Sequence, residues 1–198
     1  MPYDVDNDPY LNKKTGVLRN LLGITNQKEL DQAEAEISAV QISTLTIEDK
    51  PPLKEFNWRL LCELHHYIFG DIYDWAGKIR TIEFSKGRTS FARIDSIVPS
   101  LQVIFKSLAS ENYLDGLDED EFVRHLAHYY SELNVVHPFR EGNGRAIRTL
   151  LSMLAEDLGW NIAWGDMDRK ENIAACIAGY NGDEKPLSQM LSKIIERA

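Results

Sequence analysis

The chain has 198 residues, of which 43% are hydrophobic and 27% charged, and its formal net charge is −9. This length suits one well-buried core, and the acidic balance argues against a protein that mainly grips nucleic acid, since such proteins gather Lys and Arg to neutralise phosphates. No apolar run is long enough for a membrane-crossing helix, and the N-terminus lacks the pattern of a secretory signal. Cys62 and Cys176 are expected to be free thiols, which together with these features favours the cytoplasm.

The first elements are predicted from the positions of Pro and Gly, which end helices, and from the spacing of hydrophobic residues. Residues 1–25 are rich in Asp, Asn, Gly and Tyr and are expected to form an irregular arm. A helical pattern begins near Asn26 and ends at Pro51, because Pro is tolerated only in the first turn of a helix. Helical spacing then resumes and Gly70 stops it.

A β-hairpin is predicted at about residues 79–92. Residues 79–84 are rich in β-branched and aromatic side chains, residues 85–88 are turn formers, and β character returns at residues 89–92. This is the one stretch of the chain that the pattern assigns to strands.

Helices are predicted for the rest of the chain. One starts at Asp118, with Glu121 placed for a capping box, and another runs from about Asn143 to a stop at Gly159. Further helices are expected at about 97–110, 168–178 and 187–197. The sequence therefore predicts one all-α domain over residues 1–198, with a helical core at 26–198 and one protruding hairpin.

Residues 137–148, with the sequence HPFREGNGRAIR, have the features of a phosphate site. Gly142 and Gly144 remove side chains where a ligand must approach the backbone. The turn runs directly into a predicted helix, whose first N–H groups and positive dipole end would face an anion. Arg145 and Arg148 are three residues apart, so both are expected to reach phosphate oxygens from one helix face.

Two residues of this segment can supply chemistry. Glu141 offers a hard oxygen ligand for Mg²⁺ beside a polyphosphate, and His137 can accept a proton near neutral pH. Taken singly, a loop histidine, a glycine turn or an arginine pair usually has a structural role. Together within twelve residues they predict a nucleotide or phosphate site, without naming its reaction.

The same segment is similar to the Fic signature, H-x-F-x-[D/E]-G-N-G-R-x-x-R, and agrees with it at every specified position. The resemblance covers most of the chain: DPYL and TGVL at residues 8–18 look like the arm of the small bacterial Fic toxins. IYDWAG at residues 72–77, with Arg80, looks like the segment that precedes the family's hairpin. AGYNGD at residues 178–183 looks like the family's nucleotide-pocket segment. The resemblance implies a Fic-fold helical bundle that transfers AMP from ATP to a Ser, Thr or Tyr hydroxyl of a target protein and releases pyrophosphate.

The resemblance also implies roles within the segment. His137 would act as general base on the target hydroxyl, Phe139 would anchor the loop in the core, and Glu141 would hold Mg²⁺ against the α- and β-phosphates. The remaining signature residues would bind ATP. Backbone N–H groups of Gly142, Asn143 and Gly144 would line an anion hole, and the Asn143 side chain would help position the α-phosphate. Arg145 and Arg148 would hold the β- and γ-phosphates.

Outside the segment, the hairpin would be a flap that pairs with an extended stretch of the target protein. Lys86 and Gly87 at its tip are the candidates for contact with nucleotide and target, and Asn172 and Tyr180 are those for the adenine pocket. The kinase branch of the family carries Lys at the position of Gly144, so glycine there favours AMP transfer.

Regulation is the last point of resemblance. Many Fic proteins carry an inhibitory helix, [S/T]-x-x-x-E-[G/N], whose Glu pairs with the second signature arginine. Residues 25–29 and 192–196 come close, ending in Glu29 and Glu196, but the final Gly or Asn is missing from both. We therefore expect a toxin that is inhibited by a separate small antitoxin, with self-inhibition through Glu196 as the competing hypothesis.

Relatives with this arm and size modify type II topoisomerases, which implies DNA gyrase or topoisomerase IV as a target. Neither a membrane nor direct nucleic-acid binding is expected. Two alternatives stay open at this point: a Fic-type phosphotransferase that uses another nucleotide or donor through the same anion hole, and an inactive Fic binding module.

Overall fold

A computed structural model describes residues 8–45, 51–86 and 89–198. Within these ranges the chain forms seven α-helices and two small antiparallel sheets, which confirms the predicted helical bundle with a hairpin. The helices are α1 (Gln27–Thr44), α2 (Trp58–Phe69), α3 (Ile94–Ser110), α4 (Glu119–Val136), α5 (Asn143–Asp157), α6 (Arg169–Tyr180) and α7 (Lys185–Leu191). The strands are β1 (Ser85–Lys86), β2 (Thr89–Ser90), β3 (Trp160–Ile162) and β4 (Ile195–Arg197).

Side-chain caps fix where several helices begin. Asn26, Asn57, Asp118 and Asp168 each accept a hydrogen bond from a backbone N–H in the first turn of α1, α2, α4 and α6. Such a cap satisfies one of the N–H groups that a helix end leaves without an internal partner. The starts predicted near Asn26 and Asp118 are therefore confirmed.

Helix α3 begins three residues earlier than the sequence pattern indicated. It starts at Ile94 and carries Pro99 in its interior. Proline is usually found in a first helical turn, so a start near residue 97 was the ordinary expectation.

The core has two parts. The larger lies among α2, α3, α4, α5 and α7 with the β3–β4 sheet beside them. The smaller lies under the N-terminal arm, where Tyr10, Val17 and Leu18 pack on the end of α2 and on residues 72–76. The described part of the arm, residues 8–25, is irregular, as predicted, and it packs against the bundle.

The predicted hairpin is present, but its first strand is placed differently: β1 lies at Ser85–Lys86, within the predicted turn, and residues 79–84 form no strand. Only β1 and β2 pair with each other, with Ser85 opposite Ser90. Closer to the bundle the two chain segments bond to the end of α4 instead: the Arg80 N–H donates to the Pro138 carbonyl (2.9 Å), and the Ala92 N–H donates to the Val135 carbonyl (3.1 Å). The flap, residues 79–92, is therefore anchored to the last turn of α4 and to the residues that follow it.

The predicted C-terminal helix at residues 187–197 is wrong in its second half. Helix α7 ends at Leu191, and β4 pairs with β3. Ile195 is buried, and the Glu196 carboxylate accepts a hydrogen bond from the Asn161 amide (3.1 Å). Glu196 thus lies on a strand, which contradicts its proposed place on a self-inhibitory helix.

Cys62 and Cys176 are free thiols, as expected, and burial raises the pKa of each to about 11. Among the described residues, no helix is long and apolar enough to cross a membrane.

Candidate active site

His137 is the first residue beyond α4 and has a left-handed backbone (φ 47°, ψ 63°). Its Nδ1 lies 3.2 Å from the Asn134 carbonyl, which can only accept a hydrogen bond. The neutral ring therefore carries its proton on Nδ1 and leaves Nε2 as the acceptor nitrogen. Phe91 of the flap stacks on the imidazole at a centroid distance of 3.8 Å, and Phe84 meets it edge-on at 5.9 Å.

The signature loop, residues 137–142, is locked onto the start of α5 by Asn143. The Asn143 side chain accepts from the Phe139 N–H (2.8 Å) and donates to the Phe139 carbonyl (2.7 Å), and it is 2% exposed. Both polar atoms of the side chain therefore hold the loop, and its role toward the α-phosphate stays a prediction. Gly142 has φ 78°, and a Cβ there would lie 2.4 Å from the Phe69 ring, so both backbone and space require glycine.

His65 supports the same loop from α2. It is fully buried, its Nδ1 accepts from the Gly77 N–H (2.8 Å), and its Nε2 donates to the Glu141 carbonyl (2.8 Å). Its ring also stacks on Phe139 at 3.9 Å. Burial is the main cause that lowers the pKa of His65 to about 4, so the ring is neutral at pH 7.

The sequence pattern assigns no functional role to His65. The signal that could have found it was a histidine at a core position, since such a group needs hydrogen-bond partners from elsewhere in the fold.

Glu141 lies beside the N-terminus of α5, where its Oε1 accepts from the Gly142 N–H (3.0 Å). The Gly142 amide, predicted to line the anion hole, is therefore bonded to this carboxylate. Among the described residues, no group of three or more His, Cys, Asp or Glu side chains forms a metal cage. One carboxylate beside a helix N-terminus fits Mg²⁺, which is usually held by one or two carboxylates with substrate phosphates and waters.

The two signature arginines diverge. Arg145 donates from Nη1 to the Ser38 hydroxyl (3.0 Å) and from Nη2 to the Glu34 carboxylate, both on α1. Tyr73 donates to the same carboxylate, and burial together with Glu34 raises the pKa of that phenol. In this arrangement the Arg145 guanidinium is held by α1, and its contact with phosphate stays a prediction.

Arg148 turns the other way, toward the start of its own helix. Its guanidinium carbon lies 5.8 Å from the centroid of the Trp164 ring. A Cβ on Gly144 would lie 3.0 Å from the Arg148 Nη1, so the guanidinium is folded over the first turn of α5. Arg148 is thus the signature arginine that lies over the first turn of α5.

Arg140 forms an internal ion pair with Asp8. Its Nη2 and Nε each lie 2.7 Å from Oδ2 of Asp8, and both side chains are buried. The arm thereby fixes the signature loop from a third side, and Asp8 neutralises the charge of Arg140 within the fold.

The other predicted ligands lie at separate places. Lys86 is in β1, and Gly87 lies outside the described residues. Asn172 is buried and accepts a hydrogen bond from the Tyr130 hydroxyl (2.9 Å). The Tyr180 hydroxyl accepts from the Ser90 N–H of β2 (3.3 Å), which connects α6 to the flap.

These features define a class of protein: a helical domain in which a loop fixed by buried side chains connects a histidine to a helix N-terminus beside a flap. The Fic/DOC family model matches residues 55–155. The chain is 37% identical to the Bartonella schoenbuchensis protein adenylyltransferase VbhT over 98% of its own length and 40% of that protein. It is 35% identical to the Escherichia coli probable protein adenylyltransferase Fic over 96% of its length and 94% of that protein.

Solved structures agree. The BepC protein of Bartonella tribocorum, crystallised with bound AMPPNP, superimposes with a TM-score of 0.87 at 26% identity and covers 96% of this chain and 97% of that one. The chain belongs to the Fic/DOC family. Its relatives at 35–37% identity support the enzyme class, a protein adenylyltransferase, which is a nucleotidyltransferase.

Proposed function

We propose that this protein transfers AMP from ATP to a hydroxyl group of a target protein, with His137 as the general base. The observation that carries the proposal is the His137 hydrogen bond to Asn134, which orients the neutral ring so that Nε2 can accept a proton. The names of the relatives, protein adenylyltransferase, support the reaction class.

The reaction would run as one displacement at the α-phosphorus. Nε2 of His137 takes the proton of the target hydroxyl as its oxygen attacks the α-phosphorus. The bond between that phosphorus and the α–β bridging oxygen breaks, so pyrophosphate leaves and AMP is esterified to the target. Most of the catalysis then comes from positioning and charge stabilisation.

Charge stabilisation would come from the start of α5. The backbone N–H groups of Asn143 and Gly144 have no acceptor within the helix and carry the positive end of its dipole. Arg148 would hold the β- and γ-phosphates, and Glu141 would hold Mg²⁺, which supplies charge neutralisation on the phosphates when bound. Arg145 would act through Glu34, by fixing α5 against α1.

The flap would present the target. An extended segment of the target would pair with a flap strand, with Lys86 and Gly87 close to the nucleotide, and Asn172 and Tyr180 would line or support the adenine pocket. DNA gyrase and topoisomerase IV are the first targets to test, and the compartment would be the cytoplasm.

Regulation would come from outside the chain. A helix of a small antitoxin would place a Glu beside Arg148 and occupy the γ-phosphate position. The observation in favour is that Glu196 lies on β4 and bonds to Asn161.

Label transfer tests the reaction directly. The purified protein is incubated with Mg²⁺ and with ATP labelled at either the α- or the γ-phosphorus, in the presence of DNA gyrase, of topoisomerase IV or of a bacterial lysate. We expect label on protein from α-labelled ATP only. Label from γ-labelled ATP alone would show phosphotransfer instead, and label from neither in any sample would favour a binding module.

A further inference from the structure

Arg80 is a fully buried arginine that none of the proposed catalytic steps uses. It is 1% exposed. Its Nη1 donates to the Ile82 carbonyl (2.7 Å) and its Nη2 to the Ala92 carbonyl, so one guanidinium joins both roots of the flap.

The same guanidinium also holds the end of α4. Its Nε donates to the His137 carbonyl (2.9 Å), and its Nη2 reaches the Val136 carbonyl at 3.4 Å. A cation is favoured at this position because the C-terminus of a helix carries the negative end of the dipole. The Glu83 carboxylate, 3.6 Å from Nη1 and about half exposed, is an additional anionic partner.

Only arginine can make this set of contacts. Its planar fork carries five donors in fixed directions, whereas a lysine ammonium is a single point with three donors. One ammonium cannot reach both flap roots and the carbonyl of His137 at once.

The flap and His137 are also in contact through their side chains. Phe91 stacks on the imidazole, and Phe84, which packs edge-on against the same ring, lies under the Arg80 guanidinium at 4.7 Å from the ring centroid. A displacement of the flap at Ile82 or Ala92 would therefore also move the Phe84 and Phe91 rings that contact the His137 imidazole.

We infer that Arg80 is a positioning residue that couples the flap to His137, so that a target segment bound on the flap brings its hydroxyl to Nε2 at a fixed distance. This inference rests on the proposed function. The contacts of Arg80 described above go to the flap and to the end of α4, whereas the proposed phosphate cradle consists of the first turn of α5 and Arg148.

The first test compares Arg80→Lys with Arg93→Lys. Arg93 stands just beyond the flap, is 78% exposed and pairs with Asp95, so it is a matched substitution outside the buried contact set. Melting curves establish that both variants fold, AMPPNP titration measures nucleotide binding, and initial rates measure AMP transfer to the target.

For Arg80→Lys we expect transfer to fall on the order of 10²-fold with unchanged AMPPNP affinity, because a small misplacement of the reacting groups is enough for such a loss. Arg93→Lys should behave as the wild type. Full transfer by Arg80→Lys, or a loss of AMPPNP affinity as large as the loss of transfer, would overturn the inference.

A second test uses the wild type and no activity. Amide hydrogen exchange should show the N–H groups of Arg80, Ala92 and His137 opening as one unit, with similar exchange free energies and a common response to denaturant. Independent opening of Ala92, well before His137, would overturn the coupling. A wild type that opens as one unit but never transfers AMP would instead contradict the proposed function and leave the coupling standing.

Discussion

The signature loop and the flap lie side by side, yet they are held in different ways. The loop is fixed by buried side chains from three other parts of the chain, namely Asp8 on the arm, His65 on α2 and Asn143 on α5. The flap has two strands of two residues each and is anchored mainly at its roots. A group that must meet a reacting atom is built on a rigid support, whereas a strand that meets a partner keeps its edge available for pairing.

The largest effect on stability is expected from Asn143→Ala. The substitution removes both side-chain bonds to Phe139 and leaves a buried N–H and a buried carbonyl without partners. We expect the free energy of unfolding to fall by about 2–5 kcal/mol, since each orphaned group costs about 1–3 kcal/mol. Urea unfolding measures it.

Asn161→Ala is the matched control, because Asn161 is exposed on β3, and its change should stay within about 0.5 kcal/mol. A loss for Asn143→Ala as small as that would mean that the loop does not depend on this side chain.

The next effect is a pH dependence of stability from His65. The pKa of its imidazole is lowered from 6.5 to about 4 in the folded protein, so below pH 6.5 the unfolded state binds the proton preferentially. Stability should therefore fall as the pH drops from 6.5 towards 4, by on the order of 3 kcal/mol from this group.

The measurement is the free energy of unfolding of the wild type and of His65→Gln at pH 7, 6, 5 and 4. Gln can keep a donor and an acceptor but does not titrate. The difference between the two proteins should shrink towards low pH as the wild type loses stability, and two parallel curves would contradict the role of a buried neutral His65.

Arg145→Gln and Arg148→Gln form a matched pair on one helix. Loss of Arg145 leaves the Glu34 carboxylate without its cation and should lower the free energy of unfolding by about 2 kcal/mol, less than for a fully buried pair because a quarter of the arginine is exposed. Loss of Arg148 should weaken AMPPNP binding by about 10–100-fold and change stability little. Calorimetric titration and thermal melts on both variants check this division, and an exchange of the two effects would refute it.

The smallest effect is expected at the flap. Tyr180→Phe removes the hydroxyl that accepts the Ser90 N–H and should cost less than about 0.5 kcal/mol, because water can replace it at that exposed amide. Tyr130→Phe removes a hydroxyl bonded to the buried Asn172 and should cost about 1 kcal/mol or more. Urea unfolding of the two variants compares the exposed flap contact with the buried contact of Asn172. Equal losses in the free energy of unfolding would contradict the expected difference between them.

The sequence predicted the features that depend on residues close to one another in the chain. The caps, the glycine turn before α5 and the family signature are all local patterns, and the fold they predicted is confirmed. What could not be predicted depends on long-range contacts. The pairing of Arg145 with Glu34, 111 residues away, has no local sign in the sequence, and neither have the bonds of Arg80 to the carbonyls of Ala92, Val136 and His137.

The end of the chain shows a second limit of pattern reading. Residues 192–197 have a helix-compatible spacing, but the exposed edge of β3 and the buried position of Ile195 make a strand the better solution. Pairing with β3 therefore outweighs the local preference of residues 192–197 for a helix.

The central claim is that His137 carries the proton transfer while other groups bind the nucleotide. His137→Ala tests it in one experiment, with AMPPNP binding and transfer from α-labelled ATP measured on the same preparation. His128→Ala, at a half-exposed histidine on α4, is the control. The account predicts a loss of transfer of about 10²–10⁴-fold with nucleotide affinity and melting temperature retained. Undiminished labelling by His137→Ala would contradict it.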